Sequence, residues 1–521
     1  MLKLFKAARV SGAPLICITT PDPADTIRVI KESYPADEAP PMVEWDMARG
    51  IRASNEPGLE VIKGILSALG ANTAAEATNP FELLQIIGAN GTLPERTILF
   101  FHNIQSVLAS SDGPQISQAI WNLRDPFKSN HRQLVGLAPE ISLPVELSQD
   151  VFIIDQPYPT LEETRGIISK VFSESDITDV PEETIEKAAD ACVGLAPFPI
   201  EQVTAMSVES VSPLVVNFEA LWQRKRKMIE ATDGLSVNLA RDTFADVGGC
   251  ENAKDLLTRI FEGREPPRCI VFIDEGEKAF AGSTSGTSDS SGTSQSFLGT
   301  FLTETQENEY PGIIAFGPAG AAKSMLGKAI GATFGKPVVM FDLGSMKNGL
   351  VGKSEENIRR AFKVVKAISQ GRALFYMTVN RISGLRPELR RRFTDGTLFF
   401  DLPSAKSRQV IWDLKIKKYG LNPKDARPDN DGWTGAEIEQ CTSKAYRFDC
   451  SLREAAKFVV PIATSAKEEI ETIRREAHLR YISAEYSGKY RYDPDSASGI
   501  RAAAQVTETK GRQIAGYKEN I

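Results

Sequence analysis

Residues Gly312 to Phe334 constrain this chain more than any other stretch. Gly312–Phe316 (GIIAF) is a short apolar run, Gly317-Pro318-Ala319-Gly320-Ala321-Ala322-Lys323-Ser324 is a loop, and MLGKAIGATF has a helical pattern. Strand, glycine-bearing loop and helix follow in the order that builds a phosphate cradle. Backbone N–H groups and the positive helix end then face the anion. On this reading the loop and Met325 bind ATP, Lys323 reaches the β and γ oxygens, and the Ser324 hydroxyl takes a Mg²⁺ position. Ala322 stands where the pattern usually has Gly, and its methyl group crowds either the turn or the phosphates. That departure bears on hydrolysis rate more than on binding. The bland alternative is an ordinary strand–turn–helix.

A second apolar run, Cys269–Ile273, ends in Asp274-Glu275. A buried strand ending this way presents Asp274 to a Mg²⁺ shell, and Glu275 can polarise a water for in-line attack. Alone the pattern is weak, since many strands end in a carboxylate. Beside a phosphate loop it gains weight. The Gly/Ser/Thr-rich stretch Ala281–Ser296 that follows is expected to be mobile.

The 521 residues are 42% hydrophobic and 25% charged, ordinary for globular protein. A net charge of −7 gives no global pull toward nucleic acid. The basic run Arg224–Lys227 reads as a solvated helix face rather than a nucleic-acid site. The 6 cysteines form no C-x-x-C pair and the 3 histidines are scattered, so zinc spacing is absent. Free thiols suit a reducing cytoplasm. No apolar run reaches the ~18 residues of a membrane span, and Gly12 and Pro14 interrupt the N-terminal apolar stretch, against a signal peptide.

Apolar runs alternate with amphipathic segments throughout, which predicts α/β domains with parallel sheets. In the first half, Pro14–Thr20, Thr97–Phe101, Gln133–Leu137 and Val151–Ile154 read as strands, and Leu59–Leu69 and Pro80–Ile87 as helices. The segment Ile141–Leu147 is similar to Ile382–Leu389, each followed by a D-x-P step and a helical pattern. Such self-similarity predicts a duplicated fold. A helix near Asn217–Ala231 and a linker over Thr232–Phe244 separate the halves. After about Ser483 the chain is polar, Tyr-rich and poorly periodic, and loose order is expected.

Further stretches carry a family resemblance. Phe244-Ala245-Asp246-Val247-Gly248-Gly249 resembles the opening motif of AAA-type ATPases, which lies near the adenine. Asp342–Phe362 looks like their second strand, pore loop and following helix. Asn380 in Thr378-Val379-Asn380-Arg381 resembles sensor 1, Glu388–Phe393 the arginine-finger segment, and Trp433–Ile438 the start of the conserved lid helix. The chain as a whole resembles cyanobacterial, plastid and bacterial or phage AAA ATPases with a degenerate first half and an active second half. The resemblance implies an AAA-like α/β domain over 1–215, a linker helix over 216–243, a P-loop AAA+ core over 244–405, a helical lid over 406–483 and a tail over 484–521. It implies ATP and Mg²⁺ as ligands, Asp246, Val247 and Gly248 at the nucleotide, and a homo-oligomeric, hexameric ring. In such a ring Arg391 or Arg392 completes a neighbour's site, with a structural salt bridge as the plain alternative. In the first half the corresponding loop, Thr19–Thr26, has neither Gly nor Lys, and the strand end reads Phe100-Phe101-His102-Asn103. No nucleotide is expected there, and a docking or scaffolding role suits it.

The parts come in an unusual order. In the family the phosphate loop precedes the acidic strand, whereas here Asp274 precedes Lys323. The blocks 269–311 and 312–372 look exchanged, and the joins read naturally once they are swapped back. In a parallel sheet each strand-plus-helix unit starts and ends at the same edge, and strands lie about 4.8 Å apart, so rerouting needs only short linkers. For the family order 5-1-4-3-2, the exchanged crossovers keep their direction and therefore their right-handedness. A permuted but intact site is expected, with Asp274 beside Ser324.

Two functions from different classes compete. The first is an ATPase that hydrolyses ATP to remodel a protein partner. The second is a nucleotide-binding scaffold with little turnover, favoured by Ala322, the permuted order and Gly276, where the family usually has a large apolar residue. A DNA-acting motor has little support. At the pore-loop position stands Leu350, which grips a client weakly or only packs the loop. No H-E-x-x-H motif is present, against a built-in peptidase.

Overall fold

A computed structural model describes residues 1–35, 37–89, 93–177, 179–211, 214–280, 293–346 and 353–493. The chain divides into two compact units with the boundary between Leu221 and Trp222, inside the helix Phe218–Glu230.

In the first unit β1 (Leu15–Thr19), β2 (Met42–Asp46), β3 (Gly50–Ala53), β4 (Ile98–His102), β5 (Gln133–Ala138) and β6 (Phe152–Asp155) form one sheet in the order β3-β2-β4-β5-β1-β6. Only β2–β3 is antiparallel within it. The predicted strands and the helices Glu56–Leu69 and Pro80–Gly88 lie within a few residues of their expected bounds. Local chemistry sets the ends. Asn55 caps the first of these helices through the Gly58 N–H, and Gly70 closes it at φ 66. A two-stranded ribbon, β7 (Val208–Val211) and β8 (Leu214–Val216), follows.

The second unit holds β9 (Leu235–Val237), β10 (Cys269–Ile273), β11 (Gly312–Phe316), β12 (Val338–Phe341), β13 (Ala373–Val379), β14 (Gly396–Phe399) and β15 (Ile482–Ser483), in the order β15-β14-β11-β13-β10-β12-β9. Every residue of β10, β11 and β13 is buried. These strands are covered on both faces, which is why they read as unbroken apolar runs. Side chains alternate. Val271, Ile273, Ile314 and Phe316 join a core with the helices Thr293–Glu307 and Lys353–Ser369, while Ile270, Phe272, Ile313 and Ala315 pack toward Glu251–Phe261 and Lys323–Phe334.

Placed by role, the two sheets share one succession. β6-β1-β5-β4-β2 in the first unit matches β14-β11-β13-β10-β12 in the second. The first follows the ordinary chain order, and the second reaches it with the acidic strand β10 made before β11.

The segment read as a linker contributes β9, antiparallel to β12 at the sheet edge. In the basic run, Lys225 is buried and sits 4.9 Å over the Trp222 ring, so the run is not wholly a solvated face. The segment expected to be loose is packed as far as Asp493. β15 pairs with β14, and the buried Tyr490 donates to Asp401 Oδ2 at 2.6 Å. Arg474 holds the other Asp401 oxygen at 2.8 Å. Tyr486 and Tyr490 bury ring surface while their hydroxyls find partners, a pattern that hydrophobic periodicity misses. The helices Ala405–Tyr419, Gly435–Phe448 and Leu452–Ala456 share a separate small core around Trp412, Trp433, Ile438 and Leu452. Leu350 and residues 281–292 lie outside the described residues, and no described helix is long and apolar enough to cross a membrane.

Candidate active site

The phosphate loop leaves β11 through Gly317, at φ 151, where a side chain would collide with the Phe400 carbonyl oxygen at 2.0 Å. Gly320 follows at φ 77. Ala322 sits at φ 66 and ψ 9, in the left-handed region, as N-cap of the helix Lys323–Phe334. A non-glycine residue there costs roughly 1–2 kcal/mol, so the departure noted in the sequence is one of backbone strain. Lys323 is buried. Its Nζ donates to the carbonyls of Gly317 and Pro318, both at 2.7 Å, and to Asn380 Oδ1 at 3.0 Å. Burial lowers its pKa to about 8, against the upward pull of Glu277, Asp274 and Glu275. The buried Tyr376 hydroxyl donates to the Lys323 carbonyl at 3.1 Å. Ala319 and Met325 are not fully buried, and Ala321 packs into the core around Phe272.

At the end of β10, the Asp274 Oδ1 accepts from the Ser324 hydroxyl at 2.9 Å and from the Thr378 hydroxyl at 2.5 Å. The exchanged blocks therefore meet at this point. Glu275 lies at φ 50, at the N-cap position of the one-turn helix Gly276–Ala279. Its N–H donates to Thr378 Oγ1 at 3.0 Å, and Lys278 Nζ holds both of its carboxylate oxygens, at 2.9 and 2.8 Å. Gly276 is closed to a side chain, since a Cβ there would stand 2.4 Å from Met377 Sδ. The apolar bulk expected at position 276 is supplied from β13 instead.

Arg391 is exposed and has no side-chain partner among the described residues, whereas Arg392 donates to Gln306 at 2.6 Å. Asp246 accepts from the Thr243 N–H and hydroxyl, so its carboxylate caps a local turn. Those bonds hold its pKa low. Val247 is buried, and Gly248 abuts Ile411 of the lid, with a Cβ there 2.5 Å from Ile411 Cγ1. Thr434 caps the lid helix Gly435–Phe448 through a capping box with Glu437, and a Cβ on Gly320 would meet the Thr434 hydroxyl at 2.8 Å. The lid helix thus begins against the phosphate loop.

Sequence reasoning missed Thr378, Tyr376, Glu277 and Lys278. Thr378 and Glu277 lie within or beside stretches quoted for other residues. Their signal was proximity to those motifs, and their partners follow only from sheet register.

The donors fit ATP with Mg²⁺. Ser324 and Asp274 bring two oxygen ligands together, the hard donors Mg²⁺ prefers, and such a site keeps waters and phosphate oxygens for the rest. Among the described residues no group of three His, Cys, Asp or Glu gathers as a protein-only metal cage.

The corresponding place in the first unit is built differently. Asn103, at φ 51, occupies the backbone position of Glu275 after β4, with His102 in that of Asp274. In the loop after β1 the Thr26 hydroxyl donates to Gln156 Oε1 and lies 2.7 Å from Thr20 Oγ1. Asp22 caps the helix Pro23–Glu32, whose first turn also carries Asp25. Carboxylates at that helix N-terminus take the place an anion would need.

Comparison with known proteins follows the same division. Residues 2–156 match the family described as "SpoVK-like AAA ATPase, N-terminal domain". Residues 313–375 match "ATPase family associated with various cellular activities (AAA)", a span that takes in the phosphate loop but not the upstream acidic strand. The "Uncharacterized AAA domain-containing protein ycf46" of Guillardia theta is 21% identical over 91% of this chain and 94% of its own length. That of Pyropia yezoensis is 20% identical over 89% and 95%. A crystal structure of the FIGL-1 AAA domain, 18% identical, covers 49% of this chain and 94% of its own at a TM-score of 0.31.

Proposed function

We propose that the second unit, a P-loop AAA+ fold whose residues 313–375 match the AAA ATPase family, hydrolyses Mg·ATP to remodel a protein partner. The observation that carries this reading is the Ser324–Asp274 contact at 2.9 Å, with Glu275 adjoining and Lys323 bonded to Asn380. Lys323 takes the β and γ oxygens, and the backbone N–H groups of residues 317–324 cradle the phosphates. Ser324 and Asp274 would hold Mg²⁺, which would supply charge neutralisation at the phosphate oxygens. Glu275 accepts the proton of the attacking water as the new O–P bond forms and the bridging O–P bond to ADP breaks. Asn380 orients the γ-phosphate. Arg391 or Arg392 reaches a neighbour's site in a hexameric ring, and motion of lid against core transmits the work. The compartment we propose is the cytoplasm, and the first unit serves as a nucleotide-free docking platform.

Two observations favour a second reading, a nucleotide-binding scaffold. Lys278 holds the Glu275 carboxylate, and Ala322 strains the loop. A phosphate-release assay at concentrations that permit assembly separates the two. Turnover lost in Glu275→Gln, with nucleotide binding kept, supports hydrolysis. ATP binding without turnover in the wild type supports the scaffold.

A further inference from the structure

Behind Glu275 lies a third carboxylate, Glu277, whose surroundings are built. Glu277 Oε1 accepts the backbone N–H of Asn380 at 3.0 Å. Among the described residues its Oε2 is buried without a hydrogen-bond partner, a costly arrangement that survives only where something else holds the carboxylate in place. Asn380 in turn directs its Oδ1 to Lys323 Nζ. Of the acidic side chains around Lys323, Glu277 is the one whose charge acts on it most. A chain of contacts runs from Glu277 through the Asn380 main chain to the phosphate-loop lysine.

What brings Glu277 there is Gly276. With no Cβ at 276, the helix Gly276–Ala279 lies directly on Met377 of β13. A large residue at that place would lift the helix and carry the carboxylate away from the strand end. The exchange of bulk between positions 276 and 377 and the Glu277 bond are then one arrangement. Asn380 follows the last residue of β13, where the sheet ladder ends and the main chain needs another anchor.

We propose that Glu277 is a positioning residue. It fixes the main chain at Asn380, so that the Asn380 side chain is held at Lys323 and the γ-phosphate. The proposal rests on the hydrolysis reading for its kinetic consequence and on the hydrogen bond alone for its structural one.

The test uses the full chain carrying Glu277→Ala and, as the conservative control, Glu277→Gln, which retains an acceptor for the Asn380 N–H. Two readouts are taken: amide hydrogen exchange of the peptide containing Asn380, and kcat and KM for ATP. In Glu277→Ala exchange at Asn380 should accelerate at least about tenfold. Its kcat should fall on the order of tenfold to a hundredfold, as for a misplaced reacting group, with KM within about threefold. Glu277→Gln should restore both to within about threefold of wild type. Unchanged exchange in Glu277→Ala overturns the proposal, and so does a KM effect with kcat intact. If the wild type shows no turnover, the hydrolysis reading falls by itself and exchange alone decides the role of Glu277. A Glu277→Ala chain that does not fold passes the decision to Glu277→Gln. Exchange and kcat near wild type there support the role, and a loss equal to that of Glu275→Gln overturns it.

Discussion

The Ser324 hydroxyl meets Asp274 Oδ1 at 2.9 Å although the acidic residue lies 50 positions earlier in the chain. The contact arises because β10 and β11 both flank β13, so their C-terminal ends open on one side of the sheet. Ser324→Ala and Asp274→Asn should each lower ATP turnover by roughly 10–100-fold, the scale of a damaged metal shell. Raising Mg²⁺ should recover part of the loss in Ser324→Ala. Titration of phosphate release against Mg²⁺ checks this, and loss of activity independent of Mg²⁺ would contradict it.

Ala322 holds a left-handed backbone that glycine adopts freely. Ala322→Gly should stabilise the second unit by about 0.5–1 kcal/mol, the left-handed relief exceeding the entropy that glycine adds to the unfolded chain. Thermal unfolding should show a rise of about 2–4 °C for that unit. A fall would mean that the Ala322 methyl contributes packing that outweighs the strain.

Gly276 and Met377 share one volume. Gly276→Ala should cost about 1–3 kcal/mol by overpacking. Combined with Met377→Ala, the loss should be less than the sum, with a coupling of about 1 kcal/mol. Denaturant melts of the four proteins provide the cycle, and strict additivity would place the two residues apart.

Lys278 holds the Glu275 carboxylate in an exposed ion pair. Because such pairs contribute about 0–1 kcal/mol, Lys278→Ala should leave the fold unaffected and raise kcat by at most about fivefold. A fall in kcat would assign Lys278 to substrate rather than to restraint of Glu275.

In the first unit Glu44 accepts from Arg52 at 2.5 Å, His102 at 2.9 Å and Ser54 at 2.8 Å. Burial would raise its pKa, but the bonds to His102, Arg52 and Ser54 prevail and hold it at about 2. The folded state thus favours the ionised carboxylate. Its stabilisation is full above the unfolded value near 4.5 and is lost as the pH falls toward 2. The scale is on the order of 3 kcal/mol. Urea unfolding of wild type and Glu44→Gln should differ most near neutrality and converge in acid, and a gap that widens in acid would reverse the assignment.

Much of this was legible in the residues. The strand–loop–helix at Gly312–Phe334 and the apolar run ending in Asp274-Glu275 follow from local periodicity and chain order. The exchanged blocks were visible at their joins. What was not legible depends on register and packing across the sheet. Thr378 bridges Asp274 and Glu275 only because β13 lies beside β10. Glu277 reaches Asn380 only because Met377 fills the place of a side chain at 276. The segment beyond Ser483 looked loose, since a Tyr-rich polar stretch gives no period, yet Tyr490 is fixed by Asp401, 89 residues away.

The shared strand succession of the two units also has a consequence for synthesis. In the first unit β4 emerges from the ribosome after its neighbour β2 has been made. In the second, β10 emerges before both of its neighbours, β12 and β13. A wholly apolar central strand must wait for them as part of a nascent chain, at translation rates of about 5–20 residues per second. During that interval Cys269–Ile273 offers two unpaired edges to any other extended peptide. β11 also precedes both of its neighbours, so the permuted order adds a second such strand and places its burden on the seconds to tens of seconds of synthesis.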